Sequence, residues 1–227
     1  MALQAEVIEF LIPSENNKTL FVWNLQPCLS DAEIYNCLCS TFSEFGLLYS
    51  LRVCENASQA EPGYYAVVKF FSAVDASRAQ SATDGKTLFQ HSPVKVRLCT
   101  KLNERGFHYR SYTLNSTKCQ ELANYYLGFN GWTKQIILLQ NISGTEQLED
   151  EEAKLLPSRN LKFLCVVEIN FRNHAVHSRG VGVAEEDLEN NKDPTEYIMK
   201  LRKVQKFAVQ KAVSDAFQKV LLIILGE

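Results

Sequence analysis

The sequence predicts an α+β chain of two domains. Over residues 17–100 the strand and helix periods run strand–helix–strand–strand–helix–strand, and from residue 113 they run helix, three strands, long helix. Between them "KLNERGFHYRSY" keeps neither period. The expected layout is therefore a first domain over 1–100 with its core at 17–100, a linker at 101–112, and a second domain over 113–227.

"TLFVWNL" (19–25) is rich in strand formers. In "SDAEIYNCLCSTFSEFG", Ser30 and Glu33 have capping-box spacing, Ile34, Leu38, Phe42 and Phe45 recur at helical spacing, and Gly46 is a natural stop. "LLYSLRV" and "YYAVVKF" read as strands around the turn "ENASQAEPG". "AVDASRAQSATDG" is a short helix with Ala73, Ala76, Ala79 and Ala82 on one side. "SPVKVRLC" alternates Val94, Val96 and Leu98 against Lys95 and Arg97, as a half-buried strand does. In the second domain, "STKCQELANYYLG" is a helix capped by Asn115 or Ser116, with Gly128 as its C′ residue. "QIILLQNI", "LKFLCVVEINF" and "GVGVAEE" are strands, the first two separated by an acidic loop holding Glu149–Glu152. A long helix is expected from about Pro194 to Ile224, capped by Asp193.

Of the 227 residues, 46% are hydrophobic and 22% charged, ordinary values for a globular chain. The most apolar run, "VLLIILGE", is far shorter than a membrane span. "MALQAEVIEFLIP" carries Glu6 and Glu9 and no basic residue, unlike a secretory or transit peptide. An intracellular protein without membrane contact is expected. The seven cysteines are odd in number and irregularly spaced, which predicts reduced thiols. Cys37-x-Cys39 lacks zinc spacing, and His174 and His177 read as surface-loop residues, so neither a metal nor a cofactor is expected. There is no phosphate loop, nucleophile elbow or Cys–His signature, so the chain reads as a binding protein rather than an enzyme. Net charge is −2, yet Lys200, Arg202, Lys203, Lys206, Lys211 and Lys219 cluster in one segment with Asp215 the only acid. Such a segment is either a local anion site or a solvated helix face.

"LFVWNL" (20–25) matches the first ribonucleoprotein motif of the RNA-recognition-motif family, and "GYYAVVKF" (63–70) resembles the second. Strand alternation sends Leu20 and Val22 inward and Phe21 and Trp23 outward; likewise Tyr65, Val67 and Lys69 face out. The resemblance places Phe21 beside Tyr65 on the two central strands, as a platform for unpaired bases. Lys69, Lys95, Arg97 and Arg52 would neutralise phosphates beside it. Gly63 and Tyr64 stand where the family has a basic residue and Gly, and Val67 stands where a third ring is usual. Weaker stacking and loose sequence preference are expected.

"LANYYLGFNGW" (122–132), "GVGVAEE" and "AVQKAVSDAFQKVL" together resemble the DNA-binding core of the single-strand-annealing recombination mediators, the Rad fifty-two family. Joined to the first domain, they resemble the Rad-fifty-two-motif-containing family. In the mediators the Gly-aromatic-Asn-Gly-Trp turn floors a groove for the DNA backbone. Phe129 and Trp132 would pack helix onto sheet, and Asn130 would tie the turn. Lys118 stands where the family carries Arg, and Gln218, Lys219 and Leu222 stand in its basic cluster, so Lys219 alone is kept; Lys203 and Lys206 lie earlier on the helix. The resemblance implies binding of single-stranded DNA and RNA, with duplex or distorted DNA as a further ligand. It also implies a role in recombination or DNA-damage repair, a nuclear location with a cytoplasmic pool, and self-association through sheet edges. The expected contact residues are Phe21, Trp23, Arg52, Tyr65, Lys69, Lys95, Arg97, Lys118, Phe129, Lys203, Lys206 and Lys219. The alternatives are an RNA-processing factor or a protein–protein adaptor using the first domain alone.

Overall fold

A computed structural model describes residues 5–100, 112–143, 160–188 and 194–225. The chain divides into two units, Met1–Tyr112 with Leu222–Glu227, and Thr113–Leu221. In the first, β1 (Ala5–Glu9) precedes β2 (Thr19–Leu25), α1 (Asp31–Ser43), β3 (Leu48–Glu55), β4 (Tyr64–Phe70), α2 (Ala73–Thr83) and β5 (Lys95–Leu98). The strands β2 to β5 form an antiparallel sheet in the order β3-β4-β2-β5. This is the expected βαββαβ sandwich.

Alternation does what periodicity demands. Leu20, Val22, Ala66, Val68 and Val96 are buried against Ile34, Leu38 and Phe42 of α1 and Ala76 and Ala79 of α2. Ser30 and Glu33 form the full capping box at the start of α1. The inward stripe of α2 is completed by Thr83, and Ala82 is exposed, because helical spacing from Ala76 and Ala79 reaches residue 83. Gly46 acts by close approach rather than by capping: α1 ends with Glu44 as its cap, and a Cβ at Gly46 would meet the Asp75 carboxylate at 2.1 Å. Glu6, on the unforeseen strand β1, caps α2. Its carboxylate accepts from Ser72 Oγ and the Ala73 N–H, both at 2.6 Å, where a helix N-terminus favours an anion.

In the second unit, α3 (Ser116–Leu127), β6 (Trp132–Asn141), β7 (Asn160–Phe171), β8 (Val176–Asp187) and α4 (Pro194–Gln218) follow in order. The sheet order is β6-β7-β8, antiparallel throughout. β7 buries Leu161, Phe163, Cys165, Val167, Ile169 and Phe171 on one face, and α4 contributes Val204, Ala208, Ala212, Ala216 and Phe217 to the core. Glycine lets β8 meet α4 backbone to backbone. A Cβ on Gly180 would lie 2.0 Å from the Ala212 carbonyl oxygen, and one on Gly182 would lie 2.2 Å from that of Ala208. That contact explains "GVGV" and the small residues spaced by four on α4.

The same seam carries polar ties. Ser178 Oγ donates to the Ala216 carbonyl at 2.7 Å, and the Asp215 carboxylate accepts the Val181 N–H at 2.8 Å and Lys219 Nζ at 2.7 Å. Partial burial alone would raise the Asp215 pKa, but the Lys219 bond and the Val181 N–H outweigh it and hold the pKa below its ordinary value. A depressed carboxylate stabilises the fold above the unfolded pKa and loses that contribution as pH falls through the folded one. Asp215→Asn is expected to cost about 1 kcal/mol at neutral pH, a figure discounted for the side chain's exposure. Melting curves should show the gap between variant and wild type closing as pH falls below the ordinary carboxylate range. A gap that persists there would contradict the assignment.

One expectation is corrected. The last helix ends at Gln218 rather than near Ile224, and Leu221–Leu225 is a strand, β9, paired with β1 in a two-stranded sheet. The aliphatic run Leu221–Leu225, with β-branched Ile223 and Ile224, suits a pleated surface, and pairing with β1 decides the matter. Asp193, the acidic run Glu149–Glu152 and residues 101–111 of the linker lie outside the described residues.

Candidate nucleic-acid interface

Strand register gathers the expected residues of the first unit other than Lys69 into two rows on one face of its sheet, Lys69 standing in a further row opposite Thr19 and Ser50. Arg52 pairs with Val67, Val67 with Phe21, and Phe21 with Arg97, so one row crosses all four strands with a cation at either end. In the next row Cys54 pairs with Tyr65, and Trp23 pairs with Lys95. Phe21 is the hub of a ring cluster: its centroid lies 5.3 Å from Tyr65 and 5.6 Å from Trp23, at interplanar angles of 36° and 33°. Phe21 remains 39% exposed, while Trp23 and Tyr65 are half-buried. The third ring, absent at Val67, is thus supplied by Trp23 from the neighbouring strand.

Local backbone places these rings. Asn24 lies in the left-handed region at φ 65°, where the β2–β4 register shifts between Val22 and Leu25. Asn24 Nδ2 donates to the Pro93 carbonyl at 2.7 Å, and its own carbonyl accepts from Gln90 Nε2 at 2.8 Å. Gly63, at φ 154°, lets β4 start against β2: a Cβ there would meet the Leu25 carbonyl at 2.6 Å. The Asn of "LFVWNL" and the Gly of "GYYAVVKF" are therefore structural parts of the platform.

The cations on this face are not equivalent. Arg52 and Lys95 are exposed, and Arg97 is exposed with Asp84 at 3.8 Å. Lys69 is half-buried; its ammonium donates to the Pro13 carbonyl at 2.9 Å and lies 5.9 Å from the Tyr49 ring centroid. Burial, and then the nearby Arg52 charge, lower its pKa. The Tyr65 hydroxyl pKa is raised, chiefly by its hydrogen bond with Cys54.

In the second unit the expected residues are dispersed. Lys118 on α3 pairs with Glu121 at 2.6 Å, and Lys203 on α4 pairs with Glu186 at 2.7 Å. Lys219, just beyond α4, donates to Asp215 and to the Arg179 carbonyl at 2.8 Å. Phe129 does not pack helix onto sheet: it is 83% exposed, the ring held out by the turn after Gly128 at φ 78°. Trp132 performs the packing, 5.3 Å from Phe217. Its indole donates to Asn124 Oδ1 at 2.8 Å, so Asn124 supplies the tie that Asn130 was expected to make. Gly131 is needed because a Cβ would strike the Leu127 carbonyl at 2.1 Å. Lys206 shares a groove with two cations outside the expected set, Lys134 and Arg202, and Lys219 shares another with Arg179. In the sequence Lys134 only precedes the expected strand "QIILLQNI" and Arg202 is one of a general basic segment; the one signal is the i, i+4 spacing of Arg202 and Lys206.

All seven cysteines are free, and burial pushes the Cys119 thiol up to about 12. His177, expected in a loop, stands exposed on β8. Among the described residues no cluster of His, Cys, Asp or Glu could hold a metal ion, and no helix is long and apolar enough to cross a membrane.

Comparison with known proteins gives a match to the RNA recognition motif family over residues 20–93 and to the RDM1 DSRM domain over residues 114–221. Both are of nucleic-acid-binding type. The solved structure of the Mip6 RRM3 domain aligns with 37% of this chain and 94% of that one, at 24% identity and a TM-score of 0.30. RAD52 motif-containing protein 1 of Danio rerio is 48% identical over 226 residues, covering 100% of this chain and 80% of that relative. The Gallus gallus protein of the same name is 52% identical over 221 residues, covering 97% of this chain and 77% of that relative. With both halves matched and such identity maintained over nearly its full length, the chain belongs to the RAD52 motif-containing protein 1 family.

Proposed function

We propose that this chain binds single-stranded DNA and RNA, without catalysis, in recombination and DNA-damage repair. The supporting observation is the row Arg52–Val67–Phe21–Arg97, with Trp23 and Tyr65 in ring contact with Phe21. Exposed rings between terminal cations suit unpaired bases, whose faces stack while their phosphates run outward. Bases in an intact duplex are already stacked on each other, so duplex or distorted DNA binds here only where strands open. The repair setting is drawn from the relatives' name, and nuclear action with a cytoplasmic pool belongs to the same reading.

The chain also self-associates in this reading. Strand β6 is an edge strand, and Ile136, Ile137, Leu138 and Leu139 on it are each 38–48% exposed. An aliphatic edge of that kind is a template for strand pairing, and a second copy is its proposed cover.

Titration of labelled single-stranded and duplex DNA and RNA into the whole chain, at several salt concentrations, tests the reading. Tighter binding of single strands, weakening linearly in log salt, is expected. Absence of salt-dependent affinity for every oligonucleotide would sink it in favour of a protein adaptor. Affinity for RNA alone would favour an RNA-processing role.

A further inference from the structure

The second unit holds a groove of about 430 Å³ that the ring platform does not use. Lys134 of β6 and Arg202 and Lys206 of α4 line it, facing Ser116, Thr117 and Gln120 from the first turns of α3. Among the described residues no acidic side chain lines it. Elsewhere in this unit Lys118, Arg179, Lys203 and Lys219 each hold a carboxylate at 2.6–2.7 Å. Lys134, Arg202 and Lys206 are exposed and have no such partner among the described residues.

A chain of net charge −2 has acids enough to pair these three cations, yet they converge on one groove and repel one another there. Arg202 and Lys206 stand one turn apart, about 6 Å along the helix axis. A ligand with negative charge repeated along its length can reach both, with Lys134 across the groove. The remaining polar lining supplies hydroxyl and amide donors, and the first turn of α3 adds backbone N–H groups and the positive end of its dipole. An acidic peptide would also bring N–H donors, which only the hydroxyl and amide oxygens of the lining could accept. Phosphodiester groups bring acceptors only.

We infer that this groove binds the phosphate backbone of a nucleic-acid strand through Lys134, Arg202 and Lys206, as a site separate from the base-stacking face. The inference rests on the reading of the chain as a nucleic-acid binder. The site reads charge and spacing and no bases, so it takes DNA and RNA alike.

The test uses the whole chain as wild type, as the triple variant Lys134→Ala, Arg202→Ala, Lys206→Ala, and as the platform variant Phe21→Ala, Tyr65→Ala. All three groove side chains are exposed and have no carboxylate partner among the described residues, so the triple variant should keep the wild-type melting temperature; Arg202→Lys, which keeps the charge, serves as a control. For a labelled single strand, the triple variant is expected to lose about 10-fold or more in affinity at low salt. Its slope of log K against log salt should be shallower by about 2, three neutralised phosphates at about 0.7 each. Arg202→Lys should keep the slope, and combining the triple and platform variants should weaken binding beyond either alone while leaving the residual slope that Arg52 and Arg97 supply. A folded triple variant with wild-type affinity and slope overturns the groove, while the platform reading stands if Phe21→Ala, Tyr65→Ala still weakens binding. If neither variant changes binding, both readings fail. A poly-glutamate peptide that binds wild type and not the triple variant, with oligonucleotides indifferent to the change, overturns the inference in favour of an acidic partner.

Discussion

Gly182→Val is expected to unfold the second unit or leave it marginal. Even one carbon at this position would sit 2.2 Å from the Ala208 carbonyl oxygen, 2.4 Å from the Ala212 nitrogen and 2.9 Å from Lys211 Cβ. Two of those three neighbours are backbone of α4, so no rotamer change relieves the clash; the helix itself must lift. Lifting it exposes Ala208, Ala212 and Phe217, all fully buried, and breaks the bond from Ser178 to Ala216. Overpacking against adjustable side chains costs about 1–3 kcal/mol. Against rigid backbone the cost should exceed about 3 kcal/mol, a large part of a typical domain stability of about 5–15 kcal/mol. Val181→Ala is the control: Val181 is about half exposed and should change stability by less than about 0.5 kcal/mol. Thermal unfolding of both variants decides it. If Gly182→Val melts within a degree or two of wild type, the backbone contact between β8 and α4 is wrong.

Phe21→Ala is the second large effect, on binding rather than on folding. The ring is 39% exposed and touches Tyr65 and Trp23 rather than the core, so its removal leaves the packed side of β2 intact. Each lost base stack is worth about 1–3 kcal/mol, or about 5- to 150-fold in affinity. As Phe21 is the shared neighbour of both other rings, Phe21→Ala should cost more than Tyr65→Ala, and the pair should be non-additive. The salt dependence of binding should not move, because no charge is removed. Arg52→Ala and Arg97→Ala should behave in the opposite way: a modest loss, and a slope for single strands shallower by about 0.7 for each phosphate contact. Equal affinities for wild type and Phe21→Ala would remove the platform from the mechanism.

The sequence carried whatever depends on local period or on a motif with its own chemistry. The capping box at Ser30, the alternation that turns Phe21 outward and the left-handed Gly128 each follow from a few neighbouring residues. The family resemblance added the pairing of Phe21 with Tyr65. Tertiary structure alone decided the rest. Whether "LLIIL" continues a helix or forms a strand depends on β1, contributed by the far end of the chain, as does the capping of α2 by Glu6. "GVGV" resembled a motif in one dimension; its reason is the distance to a helix backbone that no local pattern encodes. Charge shows the same division. Lys118 and Lys219 are paired by Glu121 and Asp215 at helical spacing, which the sequence already holds, whereas Lys203 is paired by Glu186 of β8, a partner that only folding brings. Lys134, isolated in an apolar strand, is joined to Arg202 and Lys206 by the packing of β6, α3 and α4. A sequence states which side chains carry charge and which sit at helical pairing distance, whereas the fold determines the pairs and clusters whose members are remote along the chain, as with Lys203 and Glu186 or Lys134 and Arg202.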